Sequence, residues 1–210
     1  MRRCARARLA LLLAVMGAGT GAPARATDTR HHAHEAPEAG EARRGESIYQ
    51  LAGSLRDQTG ARVGLDIFRG HPVLVSMFYA SCPDACPLLI EEIRQLESTL
   101  PAPARADLRV LLVSLDPVRD TPEALGHLAR VRGIGSEGWR LLNAEDDVIR
   151  EVAAVLGVKF RRLLDGTINH STVITLLDRT GRIDLRIDGL GQPKAALTAR
   201  LRTIAGQKSP

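Results

Sequence analysis

From Pro72 onward, short apolar runs alternate with stretches whose apolar residues recur every three or four positions. Pro72-Val73-Leu74-Val75-Ser76-Met77-Phe78 has strand length and almost no polar position, which predicts a buried strand. From Leu88 the spacing changes. Leu89, Ile90, Ile93 and Leu96 repeat at helical intervals, and Pro101 and Pro103 are expected to stop that helix. Asp107 to Ser114 is a second run of strand length. Asp120-Thr121-Pro122-Glu123 then reads as a helix cap on Asp120, with an acid three residues on, ahead of Leu125, Leu128 and Val131.

The same alternation continues. Trp139 to Leu142 predicts a short strand. Val148, Ile149, Val152, Ala153 and Leu156 predict a helix that Gly157 ends. Ser171 to Leu177 and Ile183 to Ile187 flank Asp178-Arg179-Thr180-Gly181, the pattern of a hairpin. Leu197, Leu201 and Ile204 mark a last helix. Before all of these, Leu51 to Leu55 and Arg62 to Leu65 flank the turn signal Asp57-Gln58-Thr59-Gly60, which suggests another hairpin. The expected fold is a single α/β domain over residues 47–207, a mixed sheet with helices on both faces. Its order, strand–cysteine loop–helix–strand–helix and then hairpin and helix, is that of a thioredoxin-like fold.

Charge alters the picture only at the N-terminus. The 210 residues carry 29 Lys and Arg against 24 Asp and Glu. Five of the arginines (Arg2, Arg3, Arg6, Arg8 and Arg25) lie in residues 1–26, which contain no acid; without them 24 bases face 24 acids. A basic nucleic-acid groove is therefore not expected. Arg2 to Arg8, the apolar Leu9 to Met16 and Ala24-Arg25-Ala26 have the layout of a secretory signal cleaved after Ala26. The rival reading is an uncleaved membrane anchor, for which Leu9 to Ala24 is short and interrupted by glycine. Cleavage removes Cys4 and leaves Cys82 and Cys86 as the cysteines of a soluble, monomeric periplasmic protein, in a compartment that permits disulfides. Residues 27–46 read as a polar tether with His31, His32 and His34, either a weak site for divalent metal or a solvated tail.

The chemistry centres on Ser81-Cys82-Pro83-Asp84-Ala85-Cys86-Pro87, where the first buried strand hands over to a helix. Pro87 is harmless in the first turn, so the helix should begin near Cys86 and leave Cys82 on a loop. The positive end of the helix favours Cys86 as a thiolate. Side chains four apart on such a path come within roughly 5–6 Å, which suits a disulfide or two sulfurs on one metal ion. Of the histidines, His71 reads as a surface residue at the strand entrance and His127 as exposed on a helix. His170, at the mouth of the strand leading to Leu177, is placed by a thioredoxin-like sheet opposite the cysteine loop. It is the candidate third ligand of a Cys₂His set, the alternative being a histidine that caps a strand end.

Cys82-Pro83-Asp84-Ala85-Cys86-Pro87 resembles the CPxxCP signature of the SCO/SenC copper chaperones. Val113 to Glu123, with Asp116-Pro117 and Asp120-Thr121-Pro122, is similar to that family's second block, and His170-Ser171 to its third. The resemblance spans about Ser54 to Ala205. It implies a thioredoxin-like fold with an extra hairpin, copper as Cu(I) or Cu(II) on Cys82, Cys86 and His170, and delivery to the dinuclear copper centre of cytochrome c oxidase. The implied partner is the copper-receiving subunit of that oxidase, with other copper chaperones or thiol reductants as further candidates. The chain departs from the family in Asn169 before the histidine, where an aspartate is common, and in Ala80 two residues before the first cysteine, where a threonine is usual.

Thiolates favour Cu(I) and imidazole accepts both copper states, but the same set also accommodates zinc. The competing function is a thiol–disulfide oxidoreductase acting on the cysteines of an exported protein. Against it stand the CxxxC spacing and the absence of proline between Arg161 and Leu176, where thioredoxins keep one opposite their cysteines.

Overall fold

A computed structural model describes residues 47–82, 85–135 and 137–205. The proposed signal, the tether with His31, His32 and His34, and the Pro83-Asp84 pair lie outside the described residues. After a short 3₁₀ turn at Ile48–Gln50 come β1 (Leu55–Asp57), β2 (Arg62–Val63), β3 (Val73–Phe78), α1 (Ala85–Ser98), α2 (Ala102–Asp107) and β4 (Arg109–Ser114). Then follow α3 (Pro122–Val131), β5 (Trp139–Ala144), α4 (Asp146–Leu156), β6 (Phe160–Arg162), β7 (Ile168–His170), β8 (Val173–Leu177), β9 (Ile183–Asp188) and α5 (Ala195–Ala205).

Seven strands form one mixed sheet in the order β2-β1-β5-β4-β3-β8-β9, while β6 and β7 pair only with each other. Within the large sheet β3, β4 and β5 are parallel and the other pairings antiparallel. All six residues of β3 are buried, as are five of six in β4. Neighbouring side chains on a strand point to opposite faces, so both faces of the sheet centre are covered. This is the thioredoxin-like arrangement with helices on both faces that the apolar pattern predicts.

α1 inserts Leu89, Ile90, Ile93 and Leu96 into that core. Each such burial stabilises the fold by about 1.5–3 kcal/mol. Leu88 turns outward from the same helix. α4 ends at Gly157, whose φ of 67° lies in the left-handed region and whose N–H bonds back to the last turn.

Some expectations change. The first hairpin is shorter and shifted, since its first strand starts at Leu55 instead of ending there. Asp57 closes its turn by accepting from the Thr59 and Ala61 amides. Pro101 and Pro103 do more than end a helix. Pro101 caps α2 and Pro103 sits in its first turn, where a missing N–H costs nothing. The cap of α3 is Thr121, which accepts from the Ala124 amide, and not Asp120. Val131 points to solvent at the end of α3, whereas Leu125 is fully buried.

Strand direction places the site. β3 and β4 run parallel, so the segments after Phe78 and after Ser114 leave the sheet at one end. β8 runs antiparallel to β3, with Val75 opposite Thr175, so its beginning lies at that same end. Ser76 Oγ donates to Val173 O at 2.6 Å where the ladder stops. The cysteine loop, the Asp116–Asp120 loop and His170 thereby converge from three sequence-distant segments.

Candidate metal site

Cys82 sits, half-buried, on the turn after β3, its amide bonded to Tyr79 O at 3.2 Å. Cys86 is the second residue of α1 and 4% exposed. Both are thiols. The helix N-terminus was expected to favour the Cys86 thiolate, and the structure reverses this. Burial pushes the Cys86 thiol up and outweighs the 3.5 Å bond it accepts from the Tyr79 amide, while Cys82 beside it raises it further. Removing a thiolate from water costs more than one helix turn returns.

His170 is not in the loop before β8. It closes β7, in the separate hairpin, with Phe160 of β6 as its partner across the ladder. Its Nδ1 lies 3.2 Å from Ser171 O. A carbonyl only accepts, so Nδ1 carries the proton and Nε2 keeps a bare lone pair. Burial lowers the pKa of the ring and keeps it neutral, the form that binds metal.

Tyr79 ties these groups together. Its ring meets that of His170 edge-on, with centroids 5.8 Å apart and planes at 75°. Burial and then a hydrogen bond with the Cys82 side chain push its phenol up, and its amide serves Cys86. One residue thus touches all three predicted ligands. Among the described residues, no three His, Cys, Asp or Glu side chains already stand at the spacing of a closed metal site. The donors fit copper in kind, as soft sulfurs and a neutral imidazole.

Two further residues hold the surroundings. Asp120, 1% exposed, accepts from the Ala80 amide at 2.8 Å and from Ser114 Oγ at 2.6 Å. Burial pushes its carboxyl up, and those two bonds oppose the shift. Asp116, also buried, pairs with Arg162 of β6 and with Arg119. Sequence reasoning assigned the cap to Asp120 and left Tyr79 without a role. The signal was present in Asp116-Pro117 and Asp120-Thr121-Pro122, but a propensity argument cannot tell a capping aspartate from one buried against a distant loop.

The remaining histidines lie elsewhere. His127 is exposed on α3, as expected. His71 is no bare surface residue. Its Nδ1 is 2.7 Å from Asp107 Oδ1, and Arg179 holds the other carboxylate oxygen at 2.6 Å.

The SCO1/SenC family model matches residues 42–206. The chain belongs to the SCO1/SenC family. A Stutzerimonas stutzeri protein named for copper binding is 29% identical over 147 residues, covering 65% of this chain and 70% of that one. A SCO2-like protein of Rickettsia prowazekii is 28% identical, over 61% of this chain and 63% of its own length. Among solved structures, Bradyrhizobium japonicum ScoI with copper bound is similar at 25% identity and a TM-score of 0.61, covering 72% of this chain and 96% of that one. BsSco, described with a disulfide switch and as a member of the Sco family of cytochrome c oxidase assembly proteins, shares the fold. It has 19% identity and a TM-score of 0.63, over 77% of this chain and 96% of that one. The central mixed sheet and its main helices in this SCO1/SenC chain are those its apolar pattern predicts, while the separate β6–β7 hairpin is not.

Proposed function

We propose that this SCO1/SenC protein is a periplasmic metallochaperone that binds copper through Cys82, Cys86 and His170 and hands it to the dinuclear copper centre of cytochrome c oxidase. The observation that carries the reading is the grouping of two thiols and a neutral imidazole around Tyr79, with the His170 Nε2 lone pair available. Copper-binding relatives support the metal, and the oxidase-assembly description of BsSco supports the recipient.

Copper is cargo in this reading. Coordination to sulfur displaces the thiol protons, so uptake releases protons to solvent. The raised Cys86 thiol keeps the empty protein in its protonated, less oxidisable form. In the oxidoreductase alternative the half-buried Cys82 would be the attacking thiol and the buried Cys86 the resolving one. The case against it therefore rests on the CxxxC spacing and on His170 standing where thioredoxins keep a proline.

The test is copper analysis of the reduced protein. One copper per chain is expected, and Cys82→Ser or Cys86→Ser should abolish stoichiometric Cu(I) binding. His170→Ala should retain Cu(I) and alter the Cu(II) spectrum. Undiminished copper in the double-cysteine variant would refute the assignment.

A further inference from the structure

The β6–β7 hairpin that carries His170 has no hydrogen-bonded ladder to the seven-stranded sheet. Its placement over the cysteine loop therefore depends on side-chain packing and on specific polar ties. Two of those ties run to one carboxylate, and a third joins the Tyr79 phenol to the Ile168 backbone. Asp116, whose side chain is 0% exposed, receives Arg162 Nη1 on Oδ1 at 3.0 Å and Arg119 Nη1 on Oδ2 at 3.2 Å. Arg119 Nη1 also donates to Gly166 O at 2.7 Å, in the turn between β6 and β7. Asp116 thus reaches the hairpin twice, at the end of β6 directly and at the turn through Arg119.

The same loop holds the cysteine side. Ser114 Oγ accepts the Asp116 amide at 2.9 Å and donates to Asp120 Oδ2 at 2.6 Å; that Oδ2 also takes the Ala80 amide, two residues before Cys82. The Asp120 amide bonds back to Asp116 O at 2.8 Å. Resting on the copper reading above, we infer that Asp116 is a positioning residue for His170. Through Arg162 and Arg119 it fixes the histidine hairpin relative to the cysteine loop, which Asp120 anchors four residues on. The segment after β4 is a two-armed brace. A fully buried carboxylate suits this task, because its charge is out of water and is met by two guanidiniums that reach it from the partly exposed side.

The test compares Asp116→Asn and Arg162→Gln with Asp57→Asn. Asp57 is likewise buried and pairs with Arg140 at 3.2 Å, but on β1, near the other edge of the sheet. Arg162 is partly in solvent, so its variant carries the test should Asp116→Asn fail to fold. In the copper-free protein, the Tyr79–His170 nuclear Overhauser contact should weaken or vanish in both brace variants and persist in Asp57→Asn. On loading, the brace variants should keep Cu(I) stoichiometry and lose the nitrogen coupling of the Cu(II) spectrum, with Cu(II) held roughly tenfold or more weakly. Arg162→Lys, which retains the charge, should restore part of the coupling. Retention of the ring contact and the wild-type Cu(II) spectrum in both brace variants would overturn the inference, as would equal losses in Asp57→Asn. A wild-type protein that takes up no copper would instead overturn the chaperone reading, and the ring contact would still decide the role of Asp116.

Discussion

The ring of His170 meets the ring of Tyr79 edge-on at 5.8 Å, joining a strand of the small hairpin to the turn that follows β3. Ninety-one positions of sequence separate the two residues, yet no ladder hydrogen bond links their sheets. An aromatic edge against a ring face contributes about 0.5–1.5 kcal/mol beyond its area. The Tyr79 phenol also reaches the Cys82 side chain, so the residue couples histidine and thiol directly.

Replacing Tyr79 should separate these two tasks. Tyr79→Phe keeps the ring and loses the hydroxyl, so it should cost about 1 kcal/mol and leave the His170 proton shifts in place. Tyr79→Ala removes a side chain that is 6% exposed and should cost about 3–5 kcal/mol while moving those shifts. Chemical denaturation and proton spectra of the copper-free protein provide both readings. Unmoved His170 shifts in Tyr79→Ala would show that the ring contact does not place the histidine.

Asp120 should be costly to remove. Asp120→Ala leaves the Ala80 amide and the Ser114 hydroxyl without their shared acceptor in a buried setting, a loss of about 3 kcal/mol. Asp120→Asn retains one acceptor oxygen and should lose about 1 kcal/mol. Hydrogen exchange at the Ala80 amide should quicken in the alanine variant. An unchanged rate would show that the cysteine loop is held by other contacts.

Asp107 gives a pH-dependent stability remote from the cysteines. Burial alone would raise its carboxyl, but the bonds to Arg179 and His71 more than offset this and hold it below the usual carboxylate value. A folded-state value below the unfolded one stabilises above the unfolded pKa, about 4, and that contribution is lost as pH falls through the folded value. Asp107→Asn should therefore cost about 1 kcal/mol at neutral pH, since the pair is partly exposed and screened. The gap to the parent should narrow below about pH 4. A gap that stays constant down to acid unfolding would contradict the charged pairing.

Export provides a separate expectation. The N-terminus of protein isolated from its host should begin at Thr27, with residues 1–26 removed and the chain in the periplasmic fraction. Recovery of the intact N-terminus from membranes would establish the anchor reading instead.

Most of the architecture was already present in the order of apolar residues. Runs such as Val73–Phe78 and Val110–Val113 state burial on both faces, and the spacing of Leu89, Ile90, Ile93 and Leu96 states which side of α1 faces the core. Those are local patterns, set by the two-residue period of strands and the 3.6-residue period of helices. Gly157 was legible for the same reason, since a left-handed residue at a helix end is a local requirement. The candidate ligands Cys82, Cys86 and His170 were legible as residue types, from the chemistry of sulfur and imidazole.

Tertiary structure alone decided what surrounds them. Cys86 has the helix position that lowers a thiol pKa, yet the core packed over it raises that pKa, because desolvation depends on neighbours from other segments. Asp120 has the sequence of a cap and the position of a brace, since the partner that claims its carboxylate is the Ala80 amide, forty residues earlier. Phe160–Arg162 and Ile168–His170 are too short to show a period, and the groups that seat their hairpin, namely the core around Ile168, the Asp116 ion pairs and the Tyr79 ring, come from distant segments. Periodicity reports whether a side chain is buried; it carries no record of which distant group it is buried against.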